Sequence, residues 1–157
     1  MNRFRTACTT PGEFIITAEV APPKGGEMTH TLAMAELLKN RVHAINITDG
    51  SRAVLRMCPL AVSAILVQHG IEPICQIACR DRNLIGLQAD VMGAHALGIR
   101  NVLALTGDPV KAGDYPKAKS VFDFESVRLL QAIQKMNNGI DWNDKPLTDG
   151  VTDLFAG

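Results

Sequence analysis

The sequence predicts an α/β fold of the (β/α)8, TIM-barrel type, of which the chain supplies about the first four βα units. Three observations lead there. Four apolar runs, EFIITAEV (13–20), VHAINIT (42–48), IEPICQIA (71–78) and RNVLALT (100–106), are nearly continuous rather than alternating. That is the pattern of parallel strands covered on both faces. The second, third and fourth runs recur at about 28 or 29 residues, the length of one βα unit with short loops. Polar residues then fall at the ends of the runs: Glu19 in the first, Thr48 and Asp49 after the second, Arg80 and Asp81 after the third, and Thr106, Gly107 and Asp108 after the fourth. A barrel collects polar groups from successive strand ends on one face, whereas an open doubly wound sheet concentrates ligand contacts at one switch point.

Helical signals separate the runs. Residues 27–40 carry Met28, Leu32, Ala35 and Leu38 at helical spacing. Residues 59–70 open with Pro59 at a first helical position and stop at Gly70. Asn83 is a suitable cap for a third helix that carries Leu84, Leu87, Val91 and Ala94 and ends at Gly98. A fourth is expected over 123–138, with Val127, Leu130 and Ile133 on one face and Gly139 closing it. The final VTDLFAG reads as the opening of a fifth strand. A complete barrel needs eight units and typically about 250 residues. Residues 1–157 are therefore expected to form a single domain, the amino-terminal half of a barrel and a fragment of it. Its open edges call for a homo-oligomer or for pairing with another subunit.

Composition narrows the partners. The chain is 46% hydrophobic, enough apolar material for a core, and its 16 basic side chains equal its 16 acidic ones. With no field of either sign, no nucleic-acid or membrane partner is expected, and one Trp and one Tyr make a poor base-stacking platform. Without a leader pattern or a long apolar run the chain is expected in the cytoplasm. Cys8, Cys58, Cys75 and Cys79 lie in apolar surroundings without paired C-x-x-C spacing. They read as reduced, buried thiols, and no metal site is expected.

TAEVAPPKGG (17–26) carries the sharpest chemical signal. A carboxyl group at the end of an apolar strand is desolvated, which favours its protonated form and suits a general acid, and Pro22 and Pro23 fix the backbone after it. Glu19 could instead cap a helix or pair with Lys24 or Arg80. Asp108, before Pro109, could be only a turn former, as could Asp49 with Gly50. Gln76 could be a satisfied core amide. Arg80, Asp81 and Arg82 suit either a solvated loop or a loop beside phosphates, and the four histidines fit packing or solvated roles. No G-x-G-x-x-G or G-x-x-x-x-G-K-[ST] fingerprint is present.

AEVAPPKGG, INITDG, QIACRDRN and ALTGDPVKAGD, in this order and spacing, resemble the amino-terminal half of the methylenetetrahydrofolate reductases, flavin-dependent (β/α)8 barrels; the likeness covers residues 14–157. The resemblance implies Glu19 as general acid, Asp108 beside both flavin and folate, and Thr48 in the flavin site. It implies FAD as cofactor, with Thr48, Asp49, Gln76, Thr106, Gly107 and Asp108 as the cofactor-binding group. Methylenetetrahydrofolate would be the substrate, and a reduced nicotinamide or another electron donor the reductant. The reaction implied is reduction to 5-methyltetrahydrofolate in one-carbon metabolism and methionine supply, incomplete in this chain by itself. Ala18, Val20 and Ala21 replace the phenylalanine-rich surroundings common around the acid. Gln76 and Thr106 stand where many members have histidine and arginine. These departures resemble the branch fused to, or working beside, a methyltransferase. A non-catalytic folate-binding half-barrel and a pterin-dependent methyltransferase barrel are the alternatives.

Overall fold

Five parallel strands lie side by side in the order in which the chain makes them: β1 (Thr17–Val20), β2 (Ala44–Ile47), β3 (Pro73–Ala78), β4 (Asn101–Leu105) and β5 (Phe155–Ala156). The computed structural model describes residues 2–157. Consecutive parallel order is that of a partial TIM barrel; a doubly wound sheet would carry later strands to the far side of the first. The expected fold class holds, and β5 falls within VTDLFAG.

The register assigns the two faces. Glu19 lies opposite Asn46, Asn46 opposite Ile74, and Gln76 opposite Leu103. Side chains alternate along a strand, so one face collects Thr17, Glu19, Asn46, Ile74, Gln76 and Leu103, and Thr48 continues that row. The other face is buried under α2 (Thr29–Leu38), α3 (Pro59–Gln68), α4 (Leu84–Ala96) and α5 (Ser126–Asn137). Val20, Ile45 and Ile47 pack with Ala35, Val62 and Leu66, while Cys75, Ile77 and Val102 pack with Leu87, Val91, Leu129, Ile133 and Met136. Each fully buried Leu, Ile or Met contributes about 1.5–3 kcal/mol, so the helix-covered face holds the sheet together. The opposite face is the inner face of the partial barrel.

Local signals explain the helix ends. Asn83 Oδ1 accepts the Gly86 N–H at 2.8 Å, the cap expected for α4. Gly98, with φ of 83°, then lets the chain turn back after α4. α5 starts three residues later than expected because the Asp123 carboxylate is engaged elsewhere, accepting the Leu84 N–H at 2.9 Å. The first strand is shorter than expected: only 17–20 pair, and Phe14, Ile15 and Ile16 stay exposed. β1 is an edge, with β2 its single neighbour, so nothing covers that apolar lead-in. The expectation of four buried thiols is corrected too. Cys75 and Cys79 are buried, but Cys8 and Cys58 are exposed. Cys8 belongs to a surface helix that buries only Ala7, and Cys58 is the cap residue of α3.

One helix had no sequence expectation. α1 (Arg3–Thr9) lies across the amino-terminal ends of the strands. Glu72 accepts the Arg3 and Phe4 N–H groups, both at 3.0 Å, and Asn2 donates to Asn101 Oδ1 at 2.8 Å. Asn101, only 1% exposed, in turn donates to Glu72 at 3.0 Å. The Phe4 ring meets Phe155 edge-on with centroids 6.0 Å apart. α1 thus packs at the end of the sheet opposite its polar rim. Among the described residues no helix is long and apolar enough to cross a membrane.

Candidate active site

Glu19, Asn46, Thr48 and Gln76 form a row along the inner face at the carboxyl ends of β1, β2 and β3. Thr48 and Gln76 are 5% and 8% exposed, yet neither side chain has a hydrogen-bond partner among the described residues. Neither polar group is fully enclosed, Ser63 Oγ being the one fully buried side-chain polar atom without a partner among the described residues, so Gln76 is an amide open to the inner face and not the satisfied core amide that its strand suggested. Asn46 was missed. Its signal was the alternation in AINIT, which puts it on the same face as Thr48.

Glu19 corrects one expectation outright. The residue is exposed, not desolvated, because β1 is the edge strand and has a neighbour on one side alone. Its ion-pair reading also falls: Lys24 pairs with Asp114 at 2.9 Å, and Arg80 with Asp81 at 2.6 Å. The Glu19 carboxylate is left without a partner among the described residues.

In the charge run after β3 the two arginines are held in the structure while Asp81 stays exposed. Arg80, 4% exposed, holds Asp81 through two hydrogen bonds, Nε to Oδ1 at 2.9 Å and Nη2 to Oδ2 at 2.6 Å. Its Nη1 donates to the carbonyls of Gly50 at 3.2 Å and Asp108 at 3.5 Å, so one guanidinium spans the loops after β2 and β4. Hydrogen bonding by Asp81 comes first among the effects that raise its pKa above the ordinary arginine value, which keeps it charged. Gly107 makes room for it. With φ of 95°, Gly107 packs so closely that a Cβ would lie 2.9 Å from Arg80 Cβ.

Asp49 and Thr106 are engaged away from the inner face. Asp49 Oδ2 accepts from the Ala78 N–H at 2.8 Å and from Arg82 Nη1 at 2.6 Å, while Arg82 Nε donates to Asp90 at 2.8 Å. That network pins the β2 loop to β3 and α4. Thr106 Oγ1 accepts the Ser126 N–H at 3.2 Å and so satisfies a free donor at the start of α5. Asp108 sits at the rim, where its Oδ2 accepts the Arg52 N–H at 2.7 Å. No side-chain partner occupies its Oδ1 among the described residues. The structure thus brings Glu19, Thr48 and Gln76 to one face with Asp108 on the adjoining rim, and turns Asp49 and Thr106 outward.

A parallel sheet in consecutive order, with polar groups at its carboxyl ends and helices on one side, defines the class: an α/β protein built on part of a TIM barrel. The family model for methylenetetrahydrofolate reductase matches residues 3–143, and the chain belongs to that family. It is also 31% identical over 70 residues to methylenetetrahydrofolate reductase 1 of Schizosaccharomyces pombe (strain 972). That match covers 45% of this chain and 12% of the relative, so the two share only a small part of the longer protein.

Proposed function

We propose that this chain supplies the amino-terminal half of the barrel of a flavin-dependent enzyme that reduces 5,10-methylenetetrahydrofolate to 5-methyltetrahydrofolate, feeding one-carbon metabolism and methionine supply. The row of Glu19, Asn46, Thr48 and Gln76 carries this reading. In a member of this family it offers hydroxyl, amide and carboxyl groups that the chain itself leaves unpartnered on a common face.

These groups fit a flavin and a pterin. Thr48 and Gln76 would hold the polar edge of a flavin ring, since a hydroxyl and an amide can each both donate and accept. FAD bound there, once reduced by its electron donor, would supply the hydride that reduces the folate carbon. Glu19, covered by the bound flavin and folate rings and so favoured in its protonated form, would give a proton to the folate nitrogen as the five-membered ring opens, a step that positioned acids accelerate by about 10² to 10⁴. Asp108 orients the substrate: its Oδ1 can accept from the pterin amino group while Oδ2 stays on Arg52. Its negative charge at the rim also disfavours further negative charge on a nearby ring.

The test is made on the complete protein. Purified protein should show bound flavin absorbance, and methylenetetrahydrofolate should reoxidise that flavin once it has been reduced. Protein that takes up no added FAD, or whose reduced flavin does not respond to the folate, refutes the reading. Colourless protein that still binds folate supports the non-catalytic binding module instead.

A further inference from the structure

Asp114, in the loop after β4, ties three loops together. Its Oδ2 accepts from Lys24 Nζ at 2.9 Å and its Oδ1 accepts the Leu55 N–H at 3.0 Å. Lys24 directly follows Pro22 and Pro23 after β1, and Leu55 lies in the loop after β2. One residue before Asp114, Gly113 crosses the β2 loop backbone to backbone. A Cβ on Gly113 would stand 1.8 Å from the Ala53 carbonyl oxygen. Its φ of −106° is open to any residue, so glycine serves the crossing and not the backbone angle.

The loop being crossed is strained. Arg52 and Ala53 have φ of 56° and 55°, and Gly50 has φ of 53°. Such left-handed backbone costs a non-glycine residue about 1–3 kcal/mol and persists only where the surroundings over-determine it. Gly113, Asp114 and the Asp108 bond to Arg52 are those surroundings. The same loop holds the turn after Glu19, since Pro23 O accepts the Met57 N–H at 2.9 Å and Pro22 O accepts from Arg56 Nη1 at 3.4 Å. The hydrogen bond from Lys24 is the leading effect holding the Asp114 carboxyl below the usual range, so it is a carboxylate at neutral pH.

We propose that Asp114 is a positioning residue: with Gly113 it latches the loops after β1 and β2 and thereby sets the direction of Glu19. The inference rests on the reading of Glu19 as proton donor to the folate. Lys24 is 56% exposed, and an exposed ion pair contributes little to stability. The latch therefore acts on geometry, where a displacement of about 1 Å can cost on the order of 10² in rate.

Rapid mixing on the complete protein separates the two half-reactions. Asp114→Asn keeps an acceptor for Leu55 but loses the charge that meets Lys24, Lys24→Met removes the other partner, and Gly113→Ala pushes the loops apart. Each should slow folate-dependent reoxidation of the flavin by about tenfold or more, with flavin reduction by the donor changed less than about twofold. Asp114→Asn combined with Lys24→Met should be no slower than the slower single variant. Equal slowing of both half-reactions, or a double variant that loses the product of the two single effects, overturns the latch. If the unaltered protein reduces no folate, the proposed function fails, and the latch is then read by amide hydrogen exchange. Leu55 exchanging about tenfold faster in Asp114→Ala supports it, and unchanged exchange overturns it.

Discussion

The Asp108 carboxylate reaches across the rim of the sheet to the backbone of Arg52, 56 positions earlier in the chain, with Oδ2 2.7 Å from the amide nitrogen. This bond separates two roles that one mutation would confuse. Asparagine can still accept from Arg52 through its side-chain oxygen, so Asp108→Asn removes charge and keeps the loop in place. The expected result is weaker folate binding and a higher flavin reduction potential, read by spectroelectrochemical titration. Asp108→Ala should in addition lose about 1 kcal/mol of stability with the hydrogen bond. An unchanged potential in Asp108→Asn, with normal folate affinity, would leave Asp108 a loop anchor only.

Glu19 has no competing structural duty, which makes its test clean. Glu19→Gln should leave the thermal midpoint of the protein nearly unchanged, because no hydrogen bond or ion pair is broken. It should slow folate reduction by about 10² to 10⁴ and spare reduction of the flavin by its donor. Stopped-flow traces in which both half-reactions slow alike would remove Glu19 from the role of acid.

Asp49 should behave in the opposite way. Its side chain is 8% exposed and that of Arg82 18%, so the pair is largely buried. Removing one partner strands the other, at a typical cost of about 3–5 kcal/mol. Arg82 keeps Asp90, which puts Asp49→Ala at the lower end of that range. Urea denaturation would show the loss as a lower midpoint at constant slope. A midpoint like that of the unaltered protein would mean that the network contributes nothing to stability.

The buried thiols predict a dependence on alkaline pH. Burial pushes Cys75 up from 9.0 to about 12 and Cys79 to about 11. An acid with a raised folded-state pKa ionises first in the unfolded chain, so its contribution is complete below the ordinary thiol range and falls as pH climbs from 9.0 toward those values. Each thiol can lower stability by up to about 1.4 kcal/mol per pH unit in that window. Unfolding by urea at several alkaline pH values should show a shallower decline for Cys75→Ala than for the unaltered protein. Parallel declines would contradict this. Below pH 9, a thiol reagent should label exposed Cys8 and Cys58 and leave Cys75 and Cys79 until the protein unfolds.

What could be read in advance depended on how local its cause was. The middle strands were legible because runs such as PICQIA are apolar apart from Gln76 and buried at every position, and Asn83 was legible as a cap because its partner, Gly86, is three residues away. The ion pair of Asp49 with Arg82 spans 33 positions, and Thr106 meets Ser126 across 20. No window of sequence contains both members of either pair. The motif around Glu19 drew attention to the right strand end, but its exposure depends on the missing neighbour of β1, a property of the sheet and not of the segment. α1 was invisible for the same reason. At seven residues it is too short for a periodic apolar stripe, and its anchors begin at Glu72.

The long reach of α1 has a consequence for the order of synthesis. Asn2 needs Asn101, Arg5 meets Asp153 at 2.8 Å, and Phe4 rests on Phe155. α1 therefore cannot be fully seated until Asn101, Asp153 and Phe155 have been made. Until then the amino-terminal mouth of the growing sheet stands open, and the arrival of Phe155 gives the Phe4 ring its seat.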